Sequence, residues 1–181
     1  MNTTTSLRKI QKGFTLIELL VVIAVIGVLA GAIIVAINPT EQLARGRDTG
    51  KKSTTQQIAN AVNAYYAANS GIVPTNSAGW ISTLVTSGDL KVLPATATPA
   101  CATSGVASAQ LGYCYVTQGS SSNFAVFAAL ESISERSKCS ANPTVTSAFF
   151  LYSSSDAKAG TVCAPAGGNS QPNATGGYTF F

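Results

Sequence analysis

The chain has 181 residues, 46% of them apolar and only 10% charged, with four cysteines and no histidine. That length suits a single modest core, and the charge fraction lies well below the roughly 25% of ordinary soluble domains. The formal charge of +4 does not mark a nucleic-acid binder, because three of the eleven basic side chains (Arg8, Lys9, Lys12) fall before residue 14 and the remaining eight face seven acids.

Met1–Gly13 reads as a short basic leader. Leu16 to Ile37 follows as an almost purely apolar run with one ionisable group, Glu18. As a helix it would extend roughly 33 Å, enough for a hydrocarbon core of about 30 Å. A carboxylate near the start of such a span costs free energy unless something pairs with it. Gly27 and Gly31, spaced G-x-x-x-G, let helix backbones approach closely; flexibility or chance explains the same spacing equally well.

The residues Gly13-Phe14-Thr15-Leu16-Ile17-Glu18, preceded by Lys12 and opening the apolar run, resemble the start of the type IV pilin family, including the related secretion pseudopilins. The resemblance implies cleavage after Gly13, which removes the leader and keeps the apolar helix. An ordinary secretory signal is cut after its apolar region instead. The resemblance also implies N-methylation of the new terminus, Phe14, by the same membrane peptidase. The Phe14 amine would then lie one helical turn from Glu18 and supply its counter-charge when helices bundle into a filament core. An uncut signal anchor is the alternative.

Asn38-Pro39-Thr40-Glu41 interrupts the helical pattern, since Pro39 has no N–H to give. The same residues read as a fresh start, with Asn38 as N-cap, Pro39 first in the helix and Glu41 third. A kink or short unwound stretch is expected near residues 35–39. A second helix is expected over about 40–69, with Leu43, Ile58, Val62 and Tyr65 as its packing stripe. Asn69-Ser70-Gly71 supplies the stop. Arg45, Arg47, Lys51 and Lys52 form a basic cluster, read as a solvated face or as salt-bridge partners, with anionic lipid or DNA as the other reading. These charges make the positive-inside rule ambiguous. The cysteines and the leader motif orient the span with its N-terminus in the cytoplasm.

From residue 71 the composition turns rich in Gly, Pro, Ser and Thr. Trp80–Val85 fits one helical turn or a short strand, and Val92–Cys101 reads as a loop. Leu111–Gln118, Phe124–Leu130, Ala148–Tyr152 and Gly177–Phe181 are strand candidates, with a turn at Gly119–Ser122. The predicted fold is therefore α+β: a long N-terminal helix, kinked near Pro39, whose second half packs on a small antiparallel sheet. The predicted segments are 1–13 (leader), 14–37 (membrane and filament-core helix), 38–70 (amphipathic continuation) and 71–181 (β head).

Cys101, Cys114, Cys139 and Cys163 all follow the apolar run. An even count in a translocated domain favours disulfides. Three pairings are possible; Cys101–Cys114 and Cys139–Cys163 are favoured because each encloses one short loop or hairpin. Without histidine or C-x-x-C, neither a zinc site nor another metal is expected. Asn173-Ala174-Thr175 matches a glycosylation sequon.

No nucleophile–base pair and no cofactor site emerges from seven scattered acids, so no enzyme activity is expected. The reading is a structural subunit of a type IV pilus-like filament. It is held in the cytoplasmic membrane as a single-pass protein and then polymerised with itself into a helical extracellular homopolymer. A prepilin peptidase and methylase, an assembly platform and its ATPase are the implied partners. A type II secretion pseudopilin is the alternative, disfavoured because residues 140–181 hold one acid, Asp156, too few for a calcium cage. A monomeric membrane-anchored adhesin is a third reading. Twitching, adhesion, DNA uptake and secretion share this subunit design.

Overall fold

A computed structural model describes residues 13–101, 107–118, 122–139, 147–163, 172 and 177–181. The chain forms two compact units, Met1–Pro39 and Thr40–Phe181.

The first unit is the helix α1, Leu16–Ile37. Its described side chains are exposed along its whole length. Leu16–Ile34 is long and apolar enough to cross a membrane. Asn38 ends the helix in the left-handed conformation, φ 46°, which Asn tolerates better than most residues. The break is therefore one residue wide. It falls inside the 35–39 window where a kink or short unwound stretch is expected, and Leu16–Ile37 is helical up to it.

Helix α2, Pro39–Ala68, makes up the start of the second unit from Thr40 onward. Pro39 stands first, where its missing N–H would have had no helical partner. Ser70 (φ 56°) and Gly71 (φ 83°) then turn the chain out of the helix. Trp80–Ser87 forms α3, which settles the helix-or-strand ambiguity of this stretch. Gln110 caps it from another element: its Oε1 accepts the Ile81 N–H at 2.6 Å and the Ser82 N–H at 3.3 Å.

Five strands follow as an antiparallel meander in chain order: β1 Ser108–Gln110, β2 Tyr113–Thr117, β3 Phe124–Ala129, β4 Ala148–Ser153 and β5 Lys158–Cys163. A short helix, α4 (Ile133–Arg136), and one 3-10 turn to Cys139 stand between β3 and β4. The strand expected over Leu111–Gln118 begins instead at Tyr113. Leu111 (φ 52°) and Gly112 (φ 81°) form a two-residue turn between β1 and β2, as the right-handed twist of hairpins prefers. A side chain on Gly112 would also collide with the Ala97 carbonyl oxygen.

β3 is buried at all six positions. As the central strand it has two covered faces, which is why it reads as a continuous apolar run. Phe124, Val126 and Ala128 join Ile58, Ala59 and Val62 of α2 and Trp80, Ile81 and Leu84 of α3 in one core. Ala125, Phe127 and Ala129 face the other way, into a second core with Cys101, Cys114, Phe149, Leu151 and Val162. The structure bonds Cys101 to Cys114 and Cys139 to Cys163.

Two expectations are corrected, and one strand is added. Leu43 is 64% exposed; the buried face of α2 passes instead through Ala44, Asp48, Lys51 and Thr55 before reaching Ile58. The strand β5 was not anticipated, because Gly160 at its centre weakens the signal; that glycine accommodates the Phe180 ring, which a Cβ would crowd at 2.9 Å. Gly177–Phe181 is not a strand. It runs beside β5, with one backbone hydrogen bond from Phe181 N–H to the Thr161 carbonyl at 3.0 Å. Tyr178 and Phe180 pack on the second core while Phe181 stays exposed. Residues 119–121 of the expected turn lie outside the described residues.

Candidate functional site: the start of the first helix

Thr15 is the N-cap of α1, in extended backbone. Its hydroxyl accepts the Glu18 N–H at 3.3 Å. The Glu18 Oε2 in turn accepts the Thr15 N–H at 2.9 Å and the Thr15 hydroxyl at 2.8 Å. This is a complete capping box, which satisfies two helix-end donors reciprocally. Glu18 also sits where the positive end of the helix dipole favours an anion. Sequence reasoning missed the role of Thr15, although the T-x-x-E spacing before an apolar run is the signature of this motif.

Phe14, Ile17, Glu18, Val21 and Val22 line one side of the helix start. Phe14 is 84% exposed. In the uncut chain its nitrogen is a peptide amide without charge, and Thr15 is what holds the Glu18 carboxylate in this turn. A side chain on Gly13 would meet nothing within 4 Å, and the same holds at Gly27 and Gly31. The fold itself requires no glycine at these three positions. The leader up to Lys12 and the sequon at Asn173 lie outside the described residues.

Residues 8–34 match the prokaryotic N-terminal methylation motif. The N-terminal segment is a type IV pilin-like prepilin signal. Such a prepilin signal implies a prepilin peptidase and pilus assembly machinery in general. It points to a structural subunit rather than an enzyme, and with one apolar helix it fits membrane anchoring before assembly. The match ends before Asn38 and does not reach the head. No curated protein matches the chain, and no solved structure does.

The basic cluster beyond the prepilin signal is engaged inside the head. Arg47 makes a two-pronged contact with Glu131, Nε and a terminal nitrogen each at 2.9 Å. Lys51 Nζ lies 2.9 Å from Glu131 and 3.2 Å from Asp48. Lys52 lies 2.7 Å from Glu135, and Arg45 lies 3.0 Å from Glu41. Four of the seven acids therefore converge here, although they are scattered in sequence.

The hydrogen bonds from Arg47, with Lys51 adding to them, outweigh burial and hold Glu131 at about 2. For Glu135, burial pushes upward, but hydrogen bonds from Lys52, Lys138 and Thr161 together outweigh it and hold that carboxyl at about 2. The Ile133 N–H draws Glu41 below its ordinary value against the opposing effect of burial.

Proposed function

We propose that this chain is a structural subunit of a type IV pilus-like surface filament. In this reading it is cut after Gly13, N-methylated at Phe14 and assembled through α1. The observation that carries the reading is α1 itself: an apolar helix with every described side chain exposed, opened by a prepilin signal and carrying one carboxylate in its first turn.

An exposed apolar surface of this size demands a covering. Lipid covers it first, with the N-terminus inside, and neighbouring copies of α1 cover it in the filament. The helix therefore loses no apolar burial on leaving the bilayer. Glu18 then needs a counter-charge in a dry core, because an unpaired buried charge costs more than a paired one. The amine of a cleaved Phe14 supplies that charge while Thr15 continues to orient the carboxylate. The unobstructed Gly13 suits a peptidase that must reach the backbone.

Shearing expressing cells and reading the N-terminus by mass spectrometry tests the proposal. A peptide that begins at Phe14 with one added methyl, in a sedimentable polymer, supports it. An intact Met1 terminus confined to membranes overturns it in favour of an anchored monomer.

A further inference from the structure

The buried face of α2 changes chemistry halfway along. Its C-terminal half presents Ile58, Ala59, Ala61 and Val62 to the core. Its N-terminal half presents Ala44, Asp48, Lys51 and Thr55, and here a single methyl, that of Ala44, is the apolar side chain offered. Charge holds this half to the head. Nine of the fourteen charged residues after Pro39 pair here in three neighbouring groups: Glu41 with Arg45; Arg47, Asp48 and Lys51 with Glu131; and Lys52 and Lys138 with Glu135.

The receiving side of these groups is the segment from Glu131 to Cys139. Asp48 accepts the backbone N–H groups of Glu131, at 3.0 Å, and Ser132, at 2.9 Å. Glu41 accepts those of Ile133, at 2.9 Å, and Ser134, at 3.1 Å. Two carboxylates of α2 thus accept four consecutive N–H groups, two just ahead of α4 by Asp48 and two in its first turn by Glu41. The receiver is fixed to the sheet independently of α2. Leu130 N–H bonds the Ala148 carbonyl at 2.9 Å, Cys139 is bonded to Cys163 of β5, and the Thr161 hydroxyl of β5 donates to Glu135 at 2.8 Å.

Ion pairs fix geometry but contribute little net stability, whether partly exposed to water, as Arg47–Glu131 and Lys52–Glu135 are, or buried, as Lys51–Asp48 is, where desolvation offsets the attraction. An apolar seam behaves differently, since parting it exposes surface to water with no compensation. We propose that residues 40–55 are a detachable arm, held by this charge latch and able to leave the head as one unit while Ile58–Val62, the sheet and the 131–139 receiver stay docked. Once open, every charge regains water and the receiver keeps its own anchors. The arm places a joint inside the second unit, beyond the break at Asn38. Its use in an assembled filament rests on the reading above; its opening does not, so the two can fail separately.

Amide hydrogen exchange on the full chain in detergent micelles, resolved by residue, tests this. The arm amides are expected to exchange at least about tenfold faster than those of Ile58–Val62 and β3, as a separate opening unit does. The N–H groups of Glu131, Ser132, Ile133 and Ser134 should exchange at the arm's rate, because the arm's carboxylates are what protect them. Glu131→Gln, which weakens the bonds to Arg47 and Lys51, should speed the arm and these four amides together by about tenfold and leave the core unchanged. One common rate for arm and core in the unsubstituted chain overturns the proposal. So does an arm that exchanges quickly while the four capped amides stay slow, which would be ordinary fraying.

Discussion

Asp48 Oδ2 accepts the backbone N–H of Ser132, 84 residues away in the chain, at 2.9 Å, and both residues are buried. A side chain in mid-helix therefore fixes the backbone that leads into another helix. Ser132 precedes α4, yet its own side chain makes no capping bond.

Removing that carboxylate is the most damaging single change expected in the latch. Asp48→Ala leaves the buried Ser132 N–H and the half-buried Glu131 N–H without this acceptor and takes one of the two carboxylates from Lys51. A cost of roughly 3 kcal/mol is expected, at the low end of what losing one partner of a buried pair costs. Urea unfolding of the full chain in detergent, followed by circular dichroism, measures it. A loss below about 0.5 kcal/mol, typical of an exposed pair, would contradict the buried assignment.

The carboxylates set the acid limit of the head. Glu131 and Glu135 lie at about 2 against an ordinary 4.5. A lowered folded-state pKa contributes stability that is complete above the unfolded value and lost as pH falls toward the folded one. Thermal stability should thus hold steady from about pH 9 down to about pH 5, with no histidine to titrate, and fall between about 4.5 and 2. Burial raises the Tyr115 phenol. Its contribution is complete below about pH 10 and declines as pH rises past that ordinary tyrosine value. A melting temperature that drops between pH 7 and 5 would show that other groups govern.

Thr55 lies at the junction of arm and core, fully buried, and its hydroxyl has no hydrogen-bond partner among the described residues. Thr55→Val keeps the shape and removes the orphan. A gain of about 1 kcal/mol is expected, the low end of the cost of an unsatisfied buried hydroxyl. Destabilisation in the same unfolding assay would mean that the hydroxyl is satisfied by water.

Gly112 is constrained twice, by a φ of 81° and by the Ala97 carbonyl oxygen facing its hydrogen. Gly112→Ala should cost roughly 2 kcal/mol or more, above the 1–2 kcal/mol of the left-handed conformation alone. A neutral result would require the 97–101 loop to move away at no cost.

At the start of α1, Glu18→Gln should leave processing after Gly13 intact while abolishing or weakening filament assembly, because the amide cannot neutralise the Phe14 amine. Abundant normal filaments from this variant would refute the charge pairing. Gly13→Leu should leave the precursor uncut in the membrane, read by the same N-terminal mass spectrometry.

Local chemistry made the first unit legible from the sequence alone. The Leu16–Ile37 run, the lone Glu18, the residues around Gly13 and the Asn38-Pro39 break all act between near neighbours, and a helix with exposed sides has no tertiary contacts to disguise them. The helix-then-meander order and β3, β4 and α2 were legible for a related reason: periodic or continuous apolar runs report burial directly. Tertiary structure alone decided the rest. Asp48, Glu41, Glu131 and Glu135 look like dispersed surface charges until folding brings residues over eighty positions apart to within hydrogen-bond distance. Gly160 looks like a strand breaker until Phe180 packs on it. Leu43 fits the helical period of the stripe, yet the partner beside that end of α2 is a polar segment, so Ala44, Asp48 and Lys51 take the buried face. Periodicity says which residues share a face; only the fold says what that face meets.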